Sequence, residues 1–163
     1  MSKTEMSLLL KTVIIVIALT GLAACALWYP FSISLTIFGV ASQAATQLEK
    51  AEMWIQLVFY WAASLPCFVI LIYYWKIADY IKKDNTFSSD VAKLLRISTK
   101  ILSVDLIIFF VGNGVFCVLG INDFVLINFL IALFGAFVVA LMWVLSYLVK
   151  DAALMKEENE GTV

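Results

Sequence analysis

The sequence predicts an all-α protein, a four-helix transmembrane bundle, and three observations lead to this fold class. Hydrophobic residues make up 64% of the 163 residues, and the mean hydropathy is +1.02, well above the usual value for soluble domains. Four apolar stretches, at residues 8–29, 54–75, 101–119 and 124–149, each come near the roughly 20 residues that a helix needs to cross a bilayer core. The third observation is the distribution of positive charge.

All the Lys and Arg residues except Lys50 lie in the N-terminal tail, in the middle loop at 76–100 or in the C-terminal tail at 150–163. Lys and Arg accumulate in short loops on the cytoplasmic side of a membrane. The sequence therefore predicts a multi-pass protein with both termini and the middle loop in the cytoplasm, and with the loop at 30–53 outside. Too few residues remain for a soluble domain, so residues 1–163 are predicted to form one membrane domain whose first partner is the lipid bilayer.

The first apolar stretch contains Leu22-Ala23-Ala24-Cys25, which matches the pattern at which bacterial lipoprotein signals are cut and lipidated. The apolar run continues through Tyr29, whereas a processed lipoprotein normally leaves its anchor through a polar tether. We therefore expect an uncut first helix. The first half of the following loop is also apolar, and it either packs on the bundle or extends helix one along the membrane interface. Residues 41–52 are predicted to form a polar helix that leads into helix two.

On the cytoplasmic side, the helices are predicted to continue beyond the membrane. Ser88 is suited to be an N-cap, and Asp90 places a negative charge in the first helical turn. A helix over 89–119 is longer than the roughly 30 Å hydrocarbon core, and helices two and four are expected to extend in the same way. The three extensions are predicted to form a small cytoplasmic knob. The tight connection at 120–123 predicts a close antiparallel hairpin of helices three and four.

Polar residues within the apolar stretches are the intramembrane site candidates, and they are Asp105, Asn113, Gln56 and Asn128. An ionisable side chain in a membrane helix is costly and by default marks a functional hypothesis. Asp105 lies close enough to Lys100 along the chain to be near the inner interface. There it is expected to reach water or to pair with a neighbouring lysine, and the alternative is a proton or substrate site.

Asn113 stands between Gly112 and Gly114 in the middle of helix three. Each glycine weakens a helix by roughly 1 kcal/mol relative to alanine, so this pair needs a structural reason. Close helix packing is the expected reason, and a hinge or a ligand notch is the alternative. Small residues on helix four also suit close packing, at Ala132, Ala136 and Ala140. The polar partner of Asn113 is expected among Gln56, Asn128, Ser64 and the carbonyls near Pro66.

The residues that catalysis needs are scarce in this chain. It has no histidine, a single arginine, no Cys-x-x-Cys and no glycine-rich phosphate loop. Metal sites, nucleophile–base pairs and redox dithiols lack their parts, so we expect no enzyme, no metal and no cofactor. Cys25, Cys67 and Cys117 are expected to be free cysteines within the apolar stretches, and a bridge between Cys25 and Cys117 is the alternative.

Two stretches carry a resemblance to a family of small bacterial membrane proteins. The loop at 84–97, DNTFSSDVAKLLRI, is similar to the family segment pFs-en-v-x-x-Lr-x-I. The tail at 153–163, ALMKEENEGTV, is similar to the family's Lys-Glu-Glu-Asn/Asp ending, which closes on Leu-Thr-Ile. The family is catalogued as domain of unknown function 2975, and Thr86 and Gly161 depart from its pattern. The resemblance spans the chain in length and helix plan, and it implies a location in a bacterial plasma membrane.

Members of this family are often encoded beside a small helix-turn-helix regulator. The resemblance therefore implies a regulatory or sensory membrane protein that binds a small DNA-binding regulator and does not itself contact nucleic acid. The cytoplasmic contact candidates are Phe87, Leu94, Leu95 and Arg96. The alternative function is a small transporter, or an accessory subunit of a membrane complex, that acts as a homo-oligomer with Asp105 and Asn113 along its path.

Overall fold

The computed structural model describes residues 2–39, 47–83, 85–121 and 125–161. These residues form four α-helices: α1 at Lys3–Gly39, α2 at Gln47–Lys82, α3 at Ser89–Val118 and α4 at Val125–Gly161. α1 continues to Gly39, so the first part of the predicted outer loop is helical. The predicted polar helix at 41–52 falls partly on residues 40–46, which lie outside the described residues, and the remainder belongs to the start of α2.

Each helix contains a span that is long and apolar enough to cross a membrane. The spans are Lys3–Leu27, Trp54–Lys82, Ser89–Val118 and Val125–Asn159. Their large apolar side chains are mostly exposed, for example Leu126 at 71%, Phe134 at 69% and Val118 at 88% of the side chain's accessible surface. Lipid tails are as apolar as these side chains and accommodate them, whereas water does not. The chain therefore has the features of a multi-pass membrane protein, and the predicted all-α class with four membrane helices is confirmed.

Both ends of α3 follow local signals in the sequence. Ser88 has an extended backbone and its Oγ accepts a hydrogen bond from the Val91 amide at 3.3 Å, which confirms the predicted N-cap. At the other end, Gly120 has a φ of 71°, a conformation that favours glycine. Its amide donates to the Cys117 carbonyl at 3.2 Å. This geometry ends α3 and turns the chain toward α4.

The helices pack in chain order, α1 against α2, α2 against α3 and α3 against α4. Neighbouring helices are antiparallel, because Ser7 contacts Ala78 while Trp61 contacts Cys25 further along the same pair. Contacts of the same kind relate α2 to α3 and α3 to α4. The segments 3–11, 76–83, 85–100 and 149–161 consequently lie at one end of the molecule, which we call the lysine-rich end.

The principal buried apolar cluster of the described residues lies at the lysine-rich end. Leu10 of α1 packs against its members, which come from the other three helices and are Ile77, Ile81, Val91, Ala92, Leu95 and Val149. Side chains of all four helices therefore pack together at this end of the molecule.

Candidate functional site

A three-residue hydrogen-bond network links α2, α3 and α4 within their apolar stretches. The Tyr60 hydroxyl donates to Asn113 Oδ1 at 3.1 Å and accepts from Asn128 Nδ2 at 2.8 Å. Asn113 Nδ2 donates to the Phe109 carbonyl at 2.8 Å. Asn128 is buried, with 6% of its surface exposed. The structure thus brings together two of the four intramembrane candidates, and the hydroxyl of a third residue joins them.

Tyr60 was missed by the sequence reasoning, which sought the partner of Asn113 among Gln56, Asn128, Ser64 and carbonyls near Pro66. Of the residues named there, Asn128 belongs to the network, and Tyr60 adds a partner that was not named. A signal was present, because Tyr60 lies within an apolar stretch, where the hydroxyl of a tyrosine needs a partner.

Gln56 lies one helical turn before Tyr60, but its side chain bonds to a different part of the molecule. Its Nε2 donates to the carbonyl of Ile121, which follows the turn at Gly120. Membrane helices satisfy exposed carbonyls at their ends through such side-chain donors. Gln56 therefore connects α2 to the connection between α3 and α4, and it does not join the asparagine network.

Asp105 is buried, with 9% of its surface exposed, and its Oδ2 lies 3.8 Å from the Cys67 Sγ, which donates to it. The expected pairing with a neighbouring lysine is wrong among the described residues. The physical reason is the helical period, because Lys100 is displaced from Asp105 by about 140° around α3 at roughly 100° per residue. Cys25, Cys67 and Cys117 are all free, so the alternative bridge between Cys25 and Cys117 is absent.

Gly112 is explained by the close approach of an aromatic side chain. A Cβ at this position would collide with the Phe59 ring. Phe59 cannot withdraw easily, because its ring stacks on Phe109 with centroids 6.3 Å apart and meets Phe116 edge-on at 5.0 Å. Gly114, in contrast, has no neighbouring atom within 4 Å of such a Cβ. Close packing is therefore the reason for the first glycine and not for the second.

Some of the small residues of α4 also make close contacts with a neighbouring helix, and others do not. Ala132 is buried, whereas Ala136 and Ala140 are exposed. A Cβ added at Gly135 would lie 3.0 Å from the Leu106 side chain, so Gly135 makes the close contact with α3. The predicted packing face of Ala132, Ala136 and Ala140 is therefore wrong for the last two.

The four contact candidates at the start of α3 do not share one surface. Phe87 is 52% exposed on the connection between α2 and α3. Leu95 is 4% exposed and belongs to the buried cluster, so its predicted role as a partner contact is wrong. Successive residues of a helix point about 100° apart, which directs Leu94 toward α2 and Arg96 toward α4.

Two recesses follow from this divergence. The α2–α3 surface has a volume of about 470 Å³, and its residues include Lys76, Asp79, Tyr80, Lys83, Asp90 and Leu94. The α3–α4 groove has a volume of about 280 Å³, and its residues include Lys93, Arg96, Trp143, Tyr147, Lys150 and Glu157. Both recesses lie at the lysine-rich end. Over the described ranges, no group of three or more His, Cys, Asp and Glu side chains is placed to hold a metal ion.

Sequence reasoning also missed a polar contact between α1 and α2. Lys11 Nζ lies 2.5 Å from Asp79 Oδ1 and 4.8 Å from the centre of the Trp75 ring. Beside it, the Ser7 hydroxyl donates to the Ala78 carbonyl at 2.7 Å in a buried position. The signal was the spacing of Trp75 and Asp79, which places an aromatic ring and a carboxylate on one face of α2.

Comparison with known proteins identifies the family. Residues 39–163 match the model described as "Protein of unknown function (DUF2975)". The chain belongs to the DUF2975 family. The match begins at the last residue of α1 and includes α2, α3 and α4 in full, so it covers less than the whole chain over which the resemblance was drawn. The network of Tyr60, the α2–α3 surface and the α3–α4 groove all lie within the matched DUF2975 region. No curated protein and no solved structure matches the chain.

Proposed function

We propose that this DUF2975 protein is a non-enzymatic regulatory or sensory protein of a bacterial plasma membrane, and that it binds a small helix-turn-helix regulator. The observation that supports the proposal is the buried apolar cluster at the lysine-rich end, to which α2, α3 and α4 all contribute. Helix ends that served only as tethers would not need such a cluster. A packed end holds surface side chains in fixed positions, as specific protein recognition requires.

The proposal requires the lysine-rich end to be cytoplasmic, with both termini inside. The charge distribution supports this orientation, because Lys50 is the single Lys or Arg residue outside the segments that would be cytoplasmic. Reporter fusions test it. We expect a fluorescent protein fused after Lys83 or after Val163 to fold and fluoresce in the cytoplasm, and alkaline phosphatase fused after Gly120 to be active outside. Fusions at Lys83 and Val163 that report opposite faces would refute the orientation.

The α2–α3 surface is the proposed docking site of the regulator. It combines a half-buried Leu94 with the side chains of Lys76 and Lys83, and the Tyr80 hydroxyl donates to Asp90 Oδ2 at 3.5 Å across the two helices. Phe87 lies on the connection between the same helices and is 52% exposed. An exposed aromatic residue beside a mixed polar surface is typical of the side chains that dominate protein recognition.

A binding measurement with a helix-turn-helix regulator encoded beside a member of the family tests the docking site. We expect Phe87→Ala combined with Lys83→Ala to lower the affinity of the full chain in detergent at least about tenfold, because a central aromatic contact contributes about 2 kcal/mol or more. The affinity is measured by microscale thermophoresis with the purified regulator. The matched control is Phe110→Ala with Lys100→Ala, which changes the same residue types on exposed positions of α3 away from the surface.

The control pair is expected to bind as the unaltered chain does. Equal affinities for all three chains would contradict the docking site, and equal losses in both pairs would show that binding does not depend on this surface. The alternative function, a transporter or accessory subunit that acts as a homo-oligomer, stays a prediction. In it Asp105 and Asn113 line the path, and Asp105→Asn would abolish the activity if transport is coupled to protons.

A further inference from the structure

We infer that the α3–α4 groove binds the phosphate headgroup of an anionic phospholipid from the surrounding leaflet. The inference rests on the membrane placement of the helices and goes beyond the regulator proposal, because the groove lies between α3 and α4 whereas the docking surface lies between α2 and α3, with Lys93 lining both. The groove is formed by the first turns of α3 and the last turns of α4. Its chemistry changes along its length from aromatic and small apolar residues to cations.

The charges of the groove favour an anion. Lys93, Arg96 and Lys150 line it together with a single described carboxylate, Glu157, so that these side chains sum to a charge of +2. Lys93 is partly engaged by Asp90 at 3.6 Å. Arg96 and Lys150 form no ion pair with any other described residue and face the groove from opposite walls. A guanidinium binds two phosphate oxygens at once, and an ammonium adds a point charge.

The depth of the groove corresponds to the headgroup region of a membrane. The apolar stretch of α4 ends at Val149, and Lys150 follows it directly. Trp143 lies two helical turns before Lys150, about 10 Å along the axis. Its Nε1 donates to Ser103 Oγ of α3 at 3.3 Å, which holds the ring at the floor of the groove. Trp and Tyr at this level are typical of the membrane–water interface, and basic recesses between membrane helices at that depth suit anionic headgroups.

Beside the groove, toward the membrane centre, the exposed surface of the two helices is apolar. On α4, helical spacing leads from Trp143 to Ala140 and then to Ala136, both of which are exposed. On α3, Ile107 lies about one turn beyond Ser103 and is 62% exposed. An acyl chain can lie against this surface while its headgroup occupies the groove. A soluble phosphate compound has no chain to place there, and for that reason we assign the groove to a lipid.

The test measures lipid retention by the purified full chain. The protein is exchanged into a neutral detergent, incubated with phosphatidylglycerol or phosphatidylcholine, and analysed by native mass spectrometry across a lipid titration. We expect phosphatidylglycerol to bind and phosphatidylcholine not to. Arg96→Gln combined with Lys150→Gln is expected to weaken phosphatidylglycerol binding about 25-fold, since each cation near an anionic headgroup contributes roughly fivefold.

The matched control is Lys82→Gln with Lys100→Gln, which removes the same charge from exposed positions of the lysine-rich end outside the groove. It should keep phosphatidylglycerol binding within about twofold, and the pair Arg96→Lys with Lys150→Arg, which keeps both cations, should lose less binding than the neutral pair. Circular dichroism checks that each variant keeps its helices, and Lys150→Gln alone, expected to cost about fivefold, serves if the double variant does not fold.

Three results would overturn the inference. In the first, the Arg96→Gln and Lys150→Gln pair binds phosphatidylglycerol as well as the unaltered chain does. In the second, the control pair loses as much binding as the Arg96→Gln and Lys150→Gln pair. Glycerol 3-phosphate could also displace the lipid completely, which would assign the groove to a soluble phosphate. The Phe87→Ala and Lys83→Ala variant separates this site from the regulator site, because it should retain phosphatidylglycerol in full.

Discussion

Replacing Gly112 by leucine is expected to destabilise the protein by about 3 kcal/mol or more, at the upper end of the usual cost of overpacking. The added side chain would enter the space that the Phe59 ring fills, since even a Cβ there collides with that ring. The Phe59 ring of α2 packs against Phe109 and Phe116 of α3. It therefore cannot move away from position 112 without disturbing the contact between α2 and α3. The free energy of unfolding is measured by circular dichroism during SDS titration in mixed micelles.

Gly114→Leu is the matched control, because nothing lies within 4 Å of a Cβ at that position. It should change stability by less than about 1 kcal/mol, and the better helix propensity of leucine favours the folded state. Combining Gly112→Leu with Phe59→Ala should restore part of the lost stability, since the two residues occupy the same space. If Gly112→Leu and Gly114→Leu were equally stable, the proposed contact between Phe59 and Gly112 would be wrong.

Replacing Leu95 by alanine is expected to destabilise the protein by about 2–5 kcal/mol, as truncations of buried leucines do. Leu95 is 4% exposed and packs in the cluster at the lysine-rich end with Val91 and Val149. Its truncation would leave a cavity in this cluster, and the surrounding side chains would collapse into it only in part. Thermal unfolding followed by circular dichroism in detergent measures it.

Ile97→Ala is the comparison, since Ile97 lies two residues further along α3 and is 43% exposed. A substitution on that face should change stability by no more than about 0.5 kcal/mol. The two variants also separate packing from recognition. Leu95→Ala should weaken regulator binding only to the extent that it unfolds the chain, so a folded Leu95→Ala protein that had lost binding would restore Leu95 as a contact residue.

The fold class was predictable because length and hydropathy act on each helix separately. An apolar stretch near 20 residues implies a membrane helix whatever its neighbours are. The start of α3 was predictable for the same reason, since the Ser88 cap depends on an amide three residues away. The end of α1 was not, because an apolar segment after a crossing can either pack as a loop or continue as a helix. The structure continues it to Gly39.

The partners of the intramembrane polar residues were harder to predict. Asn113 and Asn128 were recognised as polar groups that need partners, yet Tyr60 was not named among them. A tyrosine within an apolar stretch is counted with the hydrophobic residues, although its hydroxyl must be satisfied once it is buried. Asp105 shows the same difficulty. Lys100 is close to it along the chain, which suggested an ion pair, but the two side chains point in different directions around the helix. Its neighbour Cys67 comes from α2.

The sequence by itself determined the number of helices and the end of the molecule at which the cations gather, since these properties depend on composition and local spacing. Tertiary structure decided which side of each helix meets a neighbour. It placed Leu95 in the core, directed Leu94 and Arg96 into separate recesses, and brought Lys150 opposite Arg96. The reason is that helix rotation is fixed by close contacts such as Phe59 on Gly112, which arise only when two helices pack together.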